Sequence, residues 1–394
     1  MKHEITRRAI LGGMLAAVPA AALSKRGIAA AADSGSSRGS GGKIVGIMQE
    51  ALDSKLFAGA VLAVSRRGET VLERAFGLAN IELNVPVSAK TVFRVGSITK
   101  QFTAAAILLL RDRGLLSLDD TLSKFLPDFP RSNEVTLRQL LTHTSGVHNY
   151  VIGTVVAGGT NQDLSISRST EEMVRYIAAQ PRLYDFDPGT SCAYSNSGYY
   201  LLHAIIEKVS STSLQAFLDR SFFRPLGLSE TSLDDLLTII PNRASGYDAA
   251  PDTPYGFTNA TFIDPSAAGG AGALLSTAGD LLKWHEALFG GKCLSARSLK
   301  EMLEPARMKN GRLTGETREP WPPLGAFEFG LGQQLYSIGG ATLVGHGGTI
   351  SGFNAQLIRI VEKETSIAVL TNTWGAHTWG GADRVIKPIV DALL

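Results

Sequence analysis

The sequence predicts a mixed fold in which both ends of the chain form an antiparallel sheet flanked by helices, with a helical domain inserted between them. Strand-like segments lie near the two ends, whereas the apolar periodicity between them is mainly helical. Neighbouring strand-like segments are joined by connections of hairpin length, which favour antiparallel pairing. The predicted fold class is therefore α/β plus all-α, with an α/β domain at 43–117 and 263–394 and a helical insertion at 118–262.

The composition is that of a folded protein without a surface for nucleic acid. The 394 residues are 44% hydrophobic and 19% charged, which is typical of a globular chain long enough for one large or two fused domains. The formal net charge is +2, but five basic residues and one acidic residue lie in the first 32 positions. The remainder carries 33 basic and 35 acidic residues, a net charge of −2. No basic surface that would attract nucleic acid is predicted.

Residues 1–32 have the pattern of an export signal. Thr6–Leu11 places two consecutive arginines before a mildly apolar stretch and so resembles a twin-arginine signal. The small residues ending at Ala31 and Ala32 are suited to cleavage after either position. Residues 33–42 follow as a Gly/Ser linker, flexible by composition. We therefore expect an exported protein, periplasmic or extracellular, that keeps no stable membrane span after signal removal.

A helix from Ser97 to about Arg113 is predicted to run through the centre of the protein. Its residues between Phe102 and Leu110 are apolar on every side, which is typical of a helix buried all round. Gly114 is suited to ending it. A serine at the start of such a helix differs from a serine on a surface loop, because its surroundings are fixed by the core.

Ser97 and Lys100 are the predicted nucleophile and its proton acceptor. Residues three positions apart share a helix face, so the hydroxyl and the amine are expected to meet. Serine attacks a substrate only when a base takes its proton. Lysine is such a base only when neutral, and its reference pKa is about 10.4. We therefore expect burial and a cationic neighbour to lower the pKa of Lys100.

A second group, Tyr194-Ser195-Asn196, is predicted on a loop just before a helix that starts near Gly198. A tyrosine hydroxyl can carry a proton between reacting groups when a nearby cation lowers its pKa from about 10. The Asn196 amide is suited to steadying a substrate carbonyl or the lysine ammonium. Tyr194 is therefore a candidate catalytic residue and Asn196 a candidate substrate-binding residue.

A third group, His346-Gly347-Gly348-Thr349, follows a predicted strand. Glycines there let a substrate backbone approach closely. We expect the backbone N–H groups of Ser97 and Thr349 to form an oxyanion hole, in which one donor typically contributes about 2.7–4 kcal/mol to catalysis. His346 and Gly348 are candidate substrate-binding residues.

In order and spacing, these groups resemble the S-x-x-K, Y-x-N and K/H-x-G motifs of one clan of serine hydrolases. That clan includes class C β-lactamases, D-Ala-D-Ala carboxypeptidases, D-aminopeptidases and β-lactamase-like esterases. The likeness covers about residues 43–394, including the phrases LLTHTSG at 140–146 and LSTAGD at 275–280. It implies a β-lactamase/transpeptidase-like fold with the site in a cleft between an α/β and a helical domain.

The resemblance also implies roles for individual residues. By this likeness Ser97 forms a covalent acyl-enzyme, and Lys100 and Tyr194 share general-base and general-acid duty. Asn196 and His346 orient the substrate. A pure binding module would not need the serine, lysine and tyrosine together, so the likeness implies an enzyme.

His346 is a departure from class C β-lactamases, which usually place lysine there as a fixed cation. Imidazole, with a reference pKa near 6.5, is largely neutral at pH 7. Gly347 likewise replaces a threonine that some carboxypeptidases use toward a terminal carboxylate. Peptides containing D-amino acids, as in peptidoglycan, are the favoured substrate. The alternatives are a carboxylesterase for short acyl chains, a β-lactamase and a non-catalytic penicillin-recognising protein.

No cofactor or metal site is predicted, and the expected partner is a small-molecule or peptide substrate. The seven histidines are scattered without the spacing of a zinc site. Cys192 and Cys293 are too few for a disulfide framework. Two free buried thiols are favoured over a single bridge between them.

Export predicts that the mature protein is shorter than the translated chain. We expect N-terminal sequencing of the protein from a host with a twin-arginine pathway to start at Ala32 or Asp33, because the signal is removed after Ala31 or Ala32. A mature protein that still begins at Met1 would contradict this prediction.

Overall fold

The structure is a computed structural model that describes residues 39–151, 162–317, 324–375 and 380–394. The strands, in chain order, are β1 (Gly59–Arg66), β2 (Glu69–Asn80), β3 (Val85–Pro86), β4 (Phe93–Arg94), β5 (Ser232–Leu233), β6 (Tyr247–Ala249), β7 (Phe257–Asn259), β8 (Leu274–Ser276), β9 (Glu328–Phe329), β10 (Gln334–Ile338), β11 (Ala341–Ile350), β12 (Phe353–Ile360), β13 (Thr365–Thr371) and β14 (Thr373–Trp374). The α-helices are α1 (Ser40–Asp53), α2 (Thr99–Asp112), α3 (Leu137–Leu141), α4 (Thr170–Ala178), α5 (Asn196–Ser210), α6 (Leu214–Leu218), α7 (Arg224–Leu226), α8 (Gly269–Gly272), α9 (Ala278–Phe289), α10 (Ala296–Met302) and α11 (Gly381–Leu393).

The largest sheet is antiparallel and is built from both ends of the chain. Its strand order is β3-β2-β1-β13-β12-β11-β10-β9, so the N-terminal hairpin joins the C-terminal strands through the pairing of β1 with β13. Side chains of β1 alternate between two cores, with Ala60, Leu62 and Val64 on one face and Val61 and Ala63 on the other. The predicted antiparallel sheet flanked by helices is confirmed.

Helices cover both faces of this sheet. On one face α1 and α11 pack against it, and their buried side chains include Ile44, Met48 and Ile386. On the other face α9 contacts β1 and β13, and α2 lies in the same core. All but three residues of α2 are buried, as its apolar sequence predicts. The N-terminal end of α2 is therefore held by packing on every side.

Residues 118–262 carry helices α3 to α7 and also the short strands β5 to β7. Helix α5 packs on α2, and Tyr199 and Phe102 from these two helices belong to one core. The described residues from 39 to 394 form one compact unit. The boundaries predicted for a separate helical insertion stay a prediction.

The structure covers only part of the N-terminal region for which the sequence predicts a signal and a linker. The predicted signal at 1–32 and residues 33–38 of the predicted linker lie outside the described residues. Residues 40–42, also predicted as linker, form the first turn of α1.

Among the described residues no helix is both long and apolar enough to cross a membrane. Cys192 and Cys293 are both buried, free thiols.

Strand β11 runs against the turn at which α2 begins. The sequence predicts a strand at Thr342–His346, but β11 continues for four more residues beyond His346. A Cβ on Gly348 would lie 1.9 Å from the carbonyl oxygen of Val95 and 3.0 Å from the backbone nitrogen of Ser97. Glycine is therefore what allows β11 to approach this turn, and this contact explains why Gly348 is tolerated inside a strand.

The turn contributes a glycine of its own to this contact. Gly96 has φ +51°, a left-handed conformation that favours glycine, and a Cβ there would lie 2.7 Å from the backbone nitrogen of Thr349. Ser97 and Thr349, from distant parts of the sequence, are thereby brought next to each other.

Alanine substitutions at Gly347 and Gly348, two adjacent glycines of β11, test this contact. Gly348→Ala is expected to lower the free energy of unfolding by about 1–3 kcal/mol, because its methyl group would press on backbone atoms of Val95 and Ser97. Gly347→Ala is the matched control and should cost less, since its Cβ would meet the side-chain end of Gln356. Denaturant unfolding measures both, and equal losses would contradict the predicted close approach.

Candidate active site

Ser97 lies in the short 3-10 turn Gly96–Ile98 that leads directly into α2. Lys100 occupies the first turn of α2, and its Nζ lies 3.0 Å from the Oγ of Ser97. The Lys100 side chain is fully buried, which is rare for lysine, whereas Ser97 is partly exposed. The structure thus brings together the two residues whose spacing predicts a shared helix face, and leaves the serine accessible.

Lys100 has two further contacts that fix its amine. Its Nζ lies 2.7 Å from the side-chain oxygen Oδ1 of Asn196 and 2.7 Å from the carbonyl oxygen of Ala271. Burial lowers the pKa of Lys100 well below its usual value. The expected cationic neighbour does not contribute to this shift among the described residues. Burial alone therefore favours the neutral amine.

The neutral form of the amine, which burial favours, fits this arrangement. It has two N–H bonds, which match the acceptors Asn196 Oδ1 and Ala271 O, and one lone pair, which is left to face the Ser97 hydroxyl. Both acceptors are oxygens that cannot donate in return. The geometry therefore positions the lone pair of Lys100 to receive the serine proton.

Tyr194 approaches Ser97 from another side. Its hydroxyl donates a hydrogen bond to Ser97 Oγ at 2.6 Å. Its ring lies beneath the Lys100 amine, with Nζ 4.7 Å from the ring centroid. Ser97 Oγ consequently lies within hydrogen-bond distance of both an amine and a phenol. The arrangement can move protons to and from a reacting serine.

The sequence predicts Asn196 on a loop, but this residue is the first residue of α5. Ser195 caps this helix, because its side chain accepts a hydrogen bond from the backbone N–H of Gly198. The backbone N–H and side-chain Nδ2 of Asn196 both donate to Oδ1 of Asn149, at 3.2 and 3.3 Å. This fixes the amide so that its oxygen faces Lys100.

Sequence patterns missed Asn149 and Ala271. Asn149 lies three residues beyond the LLTHTSG phrase, and this closeness was a usable signal. Ala271 contributes only a backbone carbonyl from the short helix α8, so no residue type could have pointed to it.

His346 is buried on β11 and lies on the Tyr194 side of the site. The ring centroids of His346 and Tyr194 are 6.2 Å apart. Its Nδ1 lies 2.5 Å from the carbonyl oxygen of Gly347, and because a carbonyl only accepts, Nδ1 carries a proton.

A cavity of about 90 Å³ opens beside Ser97. Ser97, Thr349 and Asn196 contribute its polar edge, and its remaining wall is mostly apolar. None of the described residues that line it carries a charged side chain. A reacting carbonyl group in this cavity would lie beside the Ser97 hydroxyl and the adjacent backbone of Ser97 and Thr349.

Comparison with known proteins agrees with this geometry. The Beta-lactamase family model matches residues 44–389. Penicillin-binding protein 4* of Bacillus subtilis (strain 168) is 28% identical over 329 residues, 80% of this chain and 68% of that protein. Esterase EstB of Burkholderia gladioli is 34% identical over 197 residues, 47% of this chain and only 49% of that protein.

A solved structure shows the same fold. The crystal structure of D-amino acid amidase from Ochrobactrum anthropi SV3, complexed with L-phenylalanine amide, superposes with a TM-score of 0.77 and 26% identity. The match covers 90% of this chain and 98% of that chain. On the evidence of its fold and of the family match, the chain belongs to the Beta-lactamase family and is a serine hydrolase of the β-lactamase-like clan.

Proposed function

We propose that the protein is an exported hydrolase that cleaves peptides or amides containing D-amino acids through an acyl-serine at Ser97. The observation that carries the proposal is the fully buried amine of Lys100, whose pKa is lowered by burial and whose Nζ lies 3.0 Å from the Ser97 hydroxyl. The similarity to a penicillin-binding protein and to a D-amino acid amidase supports this substrate class. The twin-arginine pattern at Thr6–Leu11 supports export.

Acylation begins when Lys100 takes the Ser97 proton as Oγ attacks the substrate carbonyl carbon. The carbonyl π electrons move to its oxygen, which the N–H groups of Ser97 and Thr349 stabilise. Collapse of this intermediate breaks the bond to the leaving group. Tyr194 gives its hydroxyl proton to the departing nitrogen and recovers a proton from the Lys100 ammonium, which restores the neutral amine.

Deacylation reverses these roles with water as the nucleophile. The Tyr194 hydroxyl takes one proton from a water molecule that attacks the acyl carbon and passes its own proton to the neutral amine of Lys100. The resulting ammonium returns this proton through Tyr194 to Ser97 Oγ as the acid leaves. Both steps need Lys100 unprotonated. The rate of hydrolysis is therefore expected to rise with pH through the lowered pKa of Lys100. It should reach its plateau at a pH where an exposed lysine would still be charged.

A carboxylesterase for short acyl chains is the second candidate, and the cavity beside Ser97 favours it. Its small volume, about 90 Å³, and its mostly apolar wall suit a short acyl chain. Its described lining offers no charge for an ammonium or carboxylate terminus of a peptide.

Covalent labelling tests the assignment of nucleophile and base. A fluorophosphonate is expected to add one mass increment to the wild type and none to Ser97→Ala. Lys100→Ala is expected to acylate at least about 100-fold more slowly, because the general base is lost. The exposed Lys90→Ala is the matched control and should label like the wild type. Undiminished labelling of Ser97→Ala would refute the nucleophile, and near-wild-type labelling of Lys100→Ala would remove it as the base.

A turnover panel distinguishes the two candidate substrates. It compares an acylated D-Ala-D-Ala peptide, D- and L-alanine amides, p-nitrophenyl acetate and butyrate, and a chromogenic cephalosporin. We expect the highest kcat/KM among the amides and peptides for those with D configuration, and turnover of the peptide above that of at least one ester. Turnover of the peptide below that of every ester would favour the carboxylesterase instead.

A further inference from the structure

His143 has a strained backbone at a buried position next to the site. It follows helix α3 by two residues, has φ +60° and is 2% exposed. This left-handed conformation is uncommon for a residue with a side chain, and such strain persists only where the surroundings hold it. The contacts of His143 show what holds it.

Two of the hydrogen bonds described for His143 go to the two neighbours of Tyr194, and a third, from its backbone N–H, goes back to the carbonyl oxygen of Leu140 at 3.5 Å. The backbone carbonyl of His143 accepts the N–H of Ala193 at 3.0 Å. Its ring atom Nδ1 accepts the N–H of Ser195 at 3.1 Å. The strained backbone allows one residue to face both positions, so the peptide segment around Tyr194 is held from both sides.

The imidazole ring also packs on the phenol itself. The ring centroids of His143 and Tyr194 are 4.5 Å apart, and those of His143 and Phe329 are also 4.5 Å apart. His143 thus fills the space between these two aromatic rings. Loss of the ring would leave the phenol free to tilt away from Ser97.

We propose that His143 is a positioning residue for Tyr194, because it anchors both flanking residues and supports the ring. It keeps the phenolic hydroxyl at 2.6 Å from Ser97 Oγ. This inference rests on the proposed function, in which Tyr194 delivers a proton to the leaving group. His143 itself touches neither the substrate nor the reacting atoms in this account.

A misplaced general acid slows some substrates more than others. An alkoxide is a poor leaving group and needs a proton as it departs, whereas p-nitrophenolate departs without one. Ethyl butyrate and p-nitrophenyl butyrate form the same acyl-enzyme, so a difference in their kcat/KM reports acylation alone. A merely structural defect would lower both values by the same factor.

The experiment measures kcat/KM for both butyrates in His143→Ala, His143→Asn, His143→Gln and Tyr194→Phe. We expect His143→Ala to lose at least about tenfold more on the ethyl ester than on the aryl ester, as Tyr194→Phe does. His143→Asn should recover most of this difference, because its Oδ1 takes the place of Nδ1 and asparagine accepts a positive φ. His143→Gln should not recover it, because its amide lies one methylene further out.

A double variant completes the test. In the Tyr194→Phe background, His143→Ala should add no further difference between the two esters, since the residue that it positions is already absent. Equal losses on both esters in His143→Ala, or equal behaviour of the Asn and Gln variants, would overturn the inference. If His143→Ala does not fold, the Asn and Gln pair decides. Equal losses in Tyr194→Phe would instead refute the proton delivery by Tyr194 in the proposed function.

Discussion

The amine of Lys100, buried in the protein away from solvent, is the feature on which the proposed reactivity of Ser97 depends. Each element around it contributes one contact: α2 carries the lysine and the serine turn, α5 brings the Asn196 oxygen, and α8 brings the Ala271 carbonyl. Burying this group has a cost. Because its pKa is lower in the folded chain than in the unfolded one, stability is reduced below the lowered pKa and recovers as pH rises toward about 10.5.

The sheet places the second half of the site against the first. Pairing of β1 with β13 joins the two ends of the chain, and the order of the following strands brings β11 to the serine turn. Gly96 and Gly348 remove the side chains that would hold these segments apart. The backbone nitrogens of Ser97 and Thr349 therefore become neighbours through packing. The predicted oxyanion hole therefore depends on how closely these two backbone segments approach each other.

Local sequence patterns predicted elements well where one signal dominated. The sequence predicts strands at Gly59–Arg66 and Phe353–Ile360 and helices at Leu137–Leu141 and Ala278–Phe289. These bounds match β1, β12, α3 and α9, because apolar runs there are bracketed by turn residues or caps. The end of β11 was wrong, since glycines weaken a strand pattern and the partner that requires them is more than 240 residues away. The burial of Lys100 was predicted correctly, but the cationic neighbour expected with it does not contribute to the pKa shift among the described residues. The Ala271 contact was beyond the sequence, because a backbone carbonyl has no residue type.

The most direct test of the account is the titration of Lys100 itself. In protein labelled with ¹³C at the lysine ε carbons, the resonance that disappears in Lys100→Ala identifies this residue, and its chemical shift can be followed against pH. The account predicts that this resonance titrates well below the remaining lysines. A Lys100 resonance that titrates together with the surface lysines, near the usual pKa of about 10.4, would contradict it.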